Sequence, residues 1–226
     1  MKLPLRMEDI TSKARRMFTV IIMMVASVLC SEAQTLIDGL YYNLDYNTKT
    51  ASVAKNKSAS GDIVIPEKVT YDNVEYTVTS LEENSFRYSS ISSIKLPSSV
   101  TILGNTCFAN CNSLTSIDLP SSVMTLGNGC FSGCAIKSIK IPSSVTTLGN
   151  FCFSSCFSLT SVELPSSINT ISLGCFQDCK SLAFISIPSS VSNLYLQCFW
   201  NCSSLKSIEI PSSVKSINHL CFAACF

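Results

Sequence analysis

The sequence predicts a solenoid of stacked coils joined by parallel strands, and three observations carry that prediction. Seven prolines, at 66, 97, 120, 142, 165, 188 and 211, are separated first by 31 residues and then by 23, 22, 23, 23 and 23. Six of the seven sit in one phrase, Ile/Leu-Pro-Ser-Ser-Val/Ile, as in Leu119-Pro120-Ser121-Ser122-Val123. Between prolines the unit reads P-S-S-V-x-x-L-G-x-x-C-F-x-x-C-x-S-L-x-S-I-x-I/L. Self-similarity at a period of about 20 to 50 residues marks an array of supersecondary units.

Taken in order, the chain opens on an export signal over residues 1–33. Lys13, Arg15 and Arg16 precede an apolar run from Met17 to Leu29, and Ser31-Glu32-Ala33 sets small residues at the −3 and −1 positions of a cleavage after Ala33. That run of 13 residues is shorter than the ~20 a bilayer-spanning helix needs. Cys30 offers an alternative, a lipid-modified N-terminus, which is the one route by which a membrane would become a partner. Everything after the signal is then expected to be secreted or held at the cell surface.

Residues 34–86 read as a β-rich capping region with a first degenerate repeat. Tyr41-Tyr42-Asn43-Leu44 and Thr50 to Val53 flank a turn at Asp45-Tyr46-Asn47. The proline phrase first emerges at Ile63-Val64-Ile65-Pro66, and the insertion after it, with Tyr71-Asp72-Asn73-Val74, reads as a second hairpin. A stack needs atypical ends to cover the apolar face of its last coil.

Residues 87–226 read as the solenoid. In Leu114-Thr115-Ser116-Ile117-Asp118-Leu119 the apolar residues alternate with polar ones, the pattern of a strand with one buried face. Equivalent strands fall near 91–96, 114–119, 136–141, 159–164, 182–187 and 205–210, which gives about six coils. Proline ends each strand because it fixes φ and donates nothing to a ladder. The two serines turn the chain, Val123 and Leu126 point back inward, and Gly104, Gly127 and Gly149 read as corners that require φ > 0. C-F-x-x-C is expected to form a short helical or 3-10 turn on the far side. At ~4.8 Å per coil such a stack is roughly 30 Å long. The C-terminal end reads as uncapped, since Ala224-Cys225-Phe226 falls in mid-coil; an open edge either continues into further coils or pairs with another chain.

The repeat phrase I-P-S-S-V-x-x-L-G-x-x-x-F-x-x-C-x-S-L-x-S-I resembles the BspA-type leucine-rich repeat of bacterial and protist surface proteins. Ile37 to Asp45 and Gly61 to Val69 resemble the N-terminal region of such proteins in Bacteroides-like bacteria, so the resemblance covers about residues 36–226. It implies a leucine-rich-repeat solenoid exported to the cell surface, with adhesin-like binding to host proteins. It brings no catalytic residues. One departure is plain: the position before the repeat phenylalanine, usually alanine in that family, is cysteine here.

Beyond the signal, twelve cysteines lie in pairs at 107/111, 130/134, 152/156, 175/179, 198/202 and 221/225, and the first coil carries Ser85 and Ser89 in their place. Three readings stay open. The thiols fill the coil as small buried hydrophobes; some form disulfides, as an even count in an exported chain favours; or they hold metal, for which a uniform recurrence singles out no site.

Charge and motif content narrow the function. Only 14% of residues are charged, against about 25% in an ordinary domain, and the formal net charge is +1, which nominates neither nucleic acid nor anionic lipid. His219 is the only histidine, and no phosphate loop, G-x-S-x-G or paired-acid motif is present, so neither an enzyme nor a cofactor is expected. Two features are candidates for a binding surface, and each also has a structural reading: charges that alternate to avoid like-charge repulsion, and aromatics that serve local packing. Lys95, Asp118, Lys140, Glu163 and Glu209 occupy one outward strand position and would stack in mostly alternating sign. Phe184, Tyr195 and Trp200 break the pattern of a single repeat with aromatics, the residues favoured as interface anchors. The expected partner is an extracellular or host surface protein. The alternatives are a structural module that self-associates through the C-terminal edge, and a carbohydrate-binding protein that stacks sugars on those aromatics.

Overall fold

In a computed structural model the described residues run from 34 to 225. The expected signal over 1–33, with Cys30, lies outside them.

Paired left-handed residues set the first hairpins. Asp38 (φ 48°) and Gly39 (φ 84°) join β1 (Thr35–Ile37) to β2 (Leu40–Asp45). After β3 (Thr50–Val53) and β4 (Ser60–Val64), Asp72 (φ 48°) and Asn73 (φ 61°) join β5 (Lys68–Tyr71) to β6 (Val74–Leu81). Two consecutive positive φ values make the turn whose twist matches that of the flanking strands. Pairing is antiparallel for β1–β2, β2–β3 and β5–β6, and parallel for β3–β6. Both expected hairpins are present, and β1–β2 adds one that the sequence reading passed over.

From residue 87 the short strands are β7 (Ser90–Lys95), β8 (Ile102–Leu103), β9 (Thr125–Leu126), β10 (Ser138–Lys140), β11 (Ser161–Glu163), β12 (Thr170–Ile171), β13 (Asn193–Leu194) and β14 (Ser216–Ile217). They lie on two faces of the stack. Before each proline, β4 pairs with β7 and β10 with β11; after it, β6–β8–β9 and β12–β13–β14 form two parallel runs. This second parallel ladder was not expected. Conversely, 114–119, 182–187 and 205–210 form no strand. Ile117 (6% exposed) and Ile185 (1%) still point inward as the alternation requires, whereas Ile210 in the last segment is 38% exposed.

The proline phrase works as a closed turn with a rung. The carbonyl of each proline from Pro97 to Pro211 accepts the N–H of the residue three on, for example Val123 N–H to Pro120 at 3.0 Å. The second serine then reaches the neighbouring coil: the Ser99 hydroxyl donates to the Val78 carbonyl (2.6 Å), Ser122 to Val100 (2.7 Å), Ser167 to Val145 (2.6 Å) and Ser213 to Val191 (2.8 Å).

Two local expectations are corrected. The described residues contain no helix, so the C-F-x-x-C arc is not a helical or 3-10 turn. The residue before each cysteine is left-handed, as at Thr106 (φ 50°) and Asn110 (φ 60°). Alternate N–H groups therefore point in different directions. Cys107, Ala109 and Cys111 bond back within the coil to Gly104, Thr106 and Phe108, whereas Thr106, Phe108 and Asn110 donate to Asn128, Cys130 and Ser132 of the next coil at 2.7–2.8 Å. A 3-10 turn would send every N–H inward and leave the coils unjoined. The corner glycines Gly104, Gly127 and Gly149 have no positive φ. A Cβ on Gly127 would sit 2.6 Å from the backbone of Gly104 and Asn105, so close packing of coil on coil excludes a side chain there.

Inside the arc, Phe86, Phe108, Phe131, Phe153, Phe176, Phe199 and Phe222 form one stack with centroids 5.4–5.8 Å apart and planes within 2–8°. Rings offset in this way retain dispersion contact without opposing their quadrupoles face to face.

Candidate functional site

The strand face before the prolines is built unevenly, and the unevenness creates its relief. Where β10 and β11 pair, Lys140 and Glu163 lie opposite each other and form an ion pair at 3.1 Å. Their side chains are 80% and 72% exposed, so water screens the pair and it contributes under ~1 kcal/mol. The expected continuous charge ladder is otherwise absent: among the described residues the only other ion pair is Lys68–Glu75, near the N-terminal hairpins. The cause is backbone, not charge. Residues 116–119 make no backbone hydrogen bond to a neighbouring coil, the last being Lys137 N–H to the Thr115 carbonyl at 3.1 Å.

Three shallow clefts open at these gaps. One of about 430 Å³ lies between Lys95 with Leu96 and Asp118 with Leu119. A second, of about 330 Å³, lies between Asp118 and Lys140 and reaches Pro142. A third, of about 350 Å³, lies between Phe184 with Ser186 and Glu209 with Ile210. Each presents peptide groups, a charged side chain and an apolar wall. Five of the expected surface residues, Lys95, Asp118, Lys140, Phe184 and Glu209, thus line clefts on one face, and Glu163 sits beside them as the partner of Lys140.

The three aromatics are not brought together. Phe184 is 61% exposed on the strand face. Tyr195, 46% exposed, follows β13 at the corner, and half-buried Trp200 lies in the arc, where its carbonyl accepts the Asp178 N–H at 2.8 Å. His219 is exposed in the last coil, with its own carbonyl accepting the Gln197 N–H.

One feature of the corner escaped sequence reasoning. In Leu103-Gly104-Asn105, Leu126-Gly127-Asn128 and Leu148-Gly149-Asn150 the asparagines form a ladder: the Asn105 Oδ1 accepts from the Asn128 N–H and the Asn128 Oδ1 from the Asn150 N–H, both at 2.8 Å. The next three repeats read Ile171-Ser172-Leu173, Leu194-Tyr195-Leu196 and Ile217-Asn218-His219. The asparagine position is taken there by half-buried Leu173, by Leu196, which is 39% exposed, and by exposed His219. The second strand ladder breaks at the same place, between Leu148 and β12. The loss of the L-G-N phrase after Asn150 is legible in the sequence, and Tyr195 is one sign of it.

All twelve cysteines of the solenoid are free and buried. Those in the second position are hydrogen-bond donors: the thiols of Cys111, Cys134, Cys156, Cys179, Cys202 and Cys225 donate to the carbonyls of Phe86, Phe108, Phe131, Phe153, Phe176 and Phe199 at 2.9–3.1 Å. Burial pushes Cys156 and Cys202 up to about 12 and holds Cys152, Cys175 and Cys179 well above the ordinary thiol range. These are the properties of packing groups, not nucleophiles.

Comparison with known proteins agrees with this geometry. A family model described as a BspA type leucine rich repeat region matches residues 79–206 in six copies. A Bacteroides ovatus leucine-rich repeat protein of known structure superposes with a TM-score of 0.64 at 29% identity, over 82% of this chain and 55% of its own. The chain thus spans about half the length of that relative. A T. pallidum leucine-rich repeat protein superposes with a TM-score of 0.70 at 28% identity, over 80% of this chain and 84% of its own. No curated protein sequence matches the chain significantly.

Proposed function

Because the chain belongs to the BspA-type leucine-rich repeat family, we propose that it is an exported, non-catalytic binding module whose strand face engages an extracellular or host surface protein. The observation that carries this reading is the row of clefts along that face, lined by Lys95, Asp118, Lys140, Phe184 and Glu209 and by peptide groups without a strand partner. Extended faces of repeat stacks commonly serve as binding surfaces. Free peptide groups, alternating charge and an exposed aromatic suit a protein segment, which offers partners for all three. In this reading the antiparallel strands of residues 34–86 cap the stack, leaving the coils after residue 87 for the ligand. Export by residues 1–33 places the face outside the cell.

An array of extracellular-matrix proteins, plasma proteins and glycans probed with residues 34–226, which form one compact unit, tests this. The expected result is a saturable protein hit, weakened tenfold or more by Asp118→Arg or Phe184→Ala. A glycan hit lost only with Phe184→Ala favours sugar stacking, and a blank from folded monomer removes the binding reading.

A further inference from the structure

We propose that Cys198 and Cys221 are a disulfide-forming pair that locks the last described coil to the one before it. Their sulfur atoms approach to 2.9 Å, and both residues are buried, at 0% and 2% exposure.

The two cysteine columns differ in what their thiols can do. In the second column every thiol is aimed at a phenylalanine carbonyl and is engaged there. In the first column, Cys107, Cys130, Cys152, Cys175, Cys198 and Cys221, none has such a carbonyl partner among the described residues, and the thiols of Cys198 and Cys221 face one another. Coils ~4.8 Å apart place neighbouring Cα atoms inside the ~4.4–6.8 Å window of a disulfide. The contact between Cys198 and Cys221 is the case in which that proximity is realised.

The chemistry is thiol–disulfide exchange. The thiolate of one cysteine attacks an external disulfide and expels one thiol; the second cysteine attacks the mixed disulfide and expels the other. Two protons and two electrons leave the pair, and the external disulfide is reduced to two thiols. Burial pushes the Cys198 thiol far above its ordinary range, so the closed coil does not react. The bond forms while the segment around Cys221 is undocked.

The test refolds the full chain, purified under reducing conditions, in oxidised glutathione, then alkylates, digests and sequences it by mass spectrometry. The expected result is a cross-linked peptide joining Cys198 to Cys221 with the loss of two hydrogen atoms. Cys198→Ser removes that cross-link and Cys202→Ser leaves it; serine already occupies both cysteine positions of the first coil, at Ser85 and Ser89. Thirteen alkylated thiols after refolding, or cross-links joining only other cysteines, overturn the proposal.

Discussion

At the scale of single residues, the coils are held by groups that look interchangeable in the sequence. Ser166 and Ser167 are neighbours in one proline phrase, yet Ser166 is exposed and Ser167 donates to the Val145 carbonyl at 2.6 Å. Removing a hydrogen bond to a carbonyl costs about 1 kcal/mol, whereas an exposed surface change stays within about 0.5 kcal/mol. Ser167→Ala should therefore lower the urea midpoint and Ser166→Ala should not, and equal effects would remove the rung from the account. The buried thiols make a pH prediction. Cys156 and Cys202 are pushed up to about 12 from an ordinary 9.0, so the unfolded chain gives up these protons before the folded one does. Stability is fully present below about pH 9 and falls as pH rises towards 12. Urea midpoints measured across that window should decline, and Cys156→Ala should make the decline shallower.

At the scale of elements, a turn, an arc and a strand each show a different limit of reading. Glycine at a corner reports that a side chain is excluded but not why: positive φ and close backbone approach leave the same residue. Gly39 has φ +84° with nothing near its missing Cβ, while Gly127 has ordinary φ and backbone 2.6 Å away. Gly127→Ala must push two coils apart and should lower Tm by more than Gly39→Ala, whose cost is local strain of about 1 kcal/mol. The arc was misread because C-F-x-x-C has the spacing of a helical turn. The contrary signal lay in the residues before the second cysteines, where Asn110, Gly133, Asp178 and Asn201 are types that accept left-handed φ, but Phe151, Gln197 and Leu220 before the first ones hide it. Strand alternation correctly gave the inward residues of 114–119 and 138–140. Whether a segment finds a ladder partner depends on the distance to the next coil, which no local pattern encodes.

At the scale of the whole molecule, period alone gave the stack, and parallel pairing, the buried phenylalanine column and the inward leucines follow from it. Each coil touches only its neighbours, so a binding face emerges by addition of coils, and its irregularities, not its repeats, distinguish one stretch from another. The charged positions were legible as a column; the clefts between them were not, because they arise where the backbone ladder lapses. The most direct measurement of the central claim is the equilibrium affinity for the array ligand of three variants: Asp118→Arg and Phe184→Ala on the strand face, and Met124→Arg, an exposed residue beside the second ladder. With all three folded and monomeric, the account predicts at least a tenfold loss for the first two and none for the third. Unchanged affinity in the strand-face variants, or loss only in Met124→Arg, would contradict it.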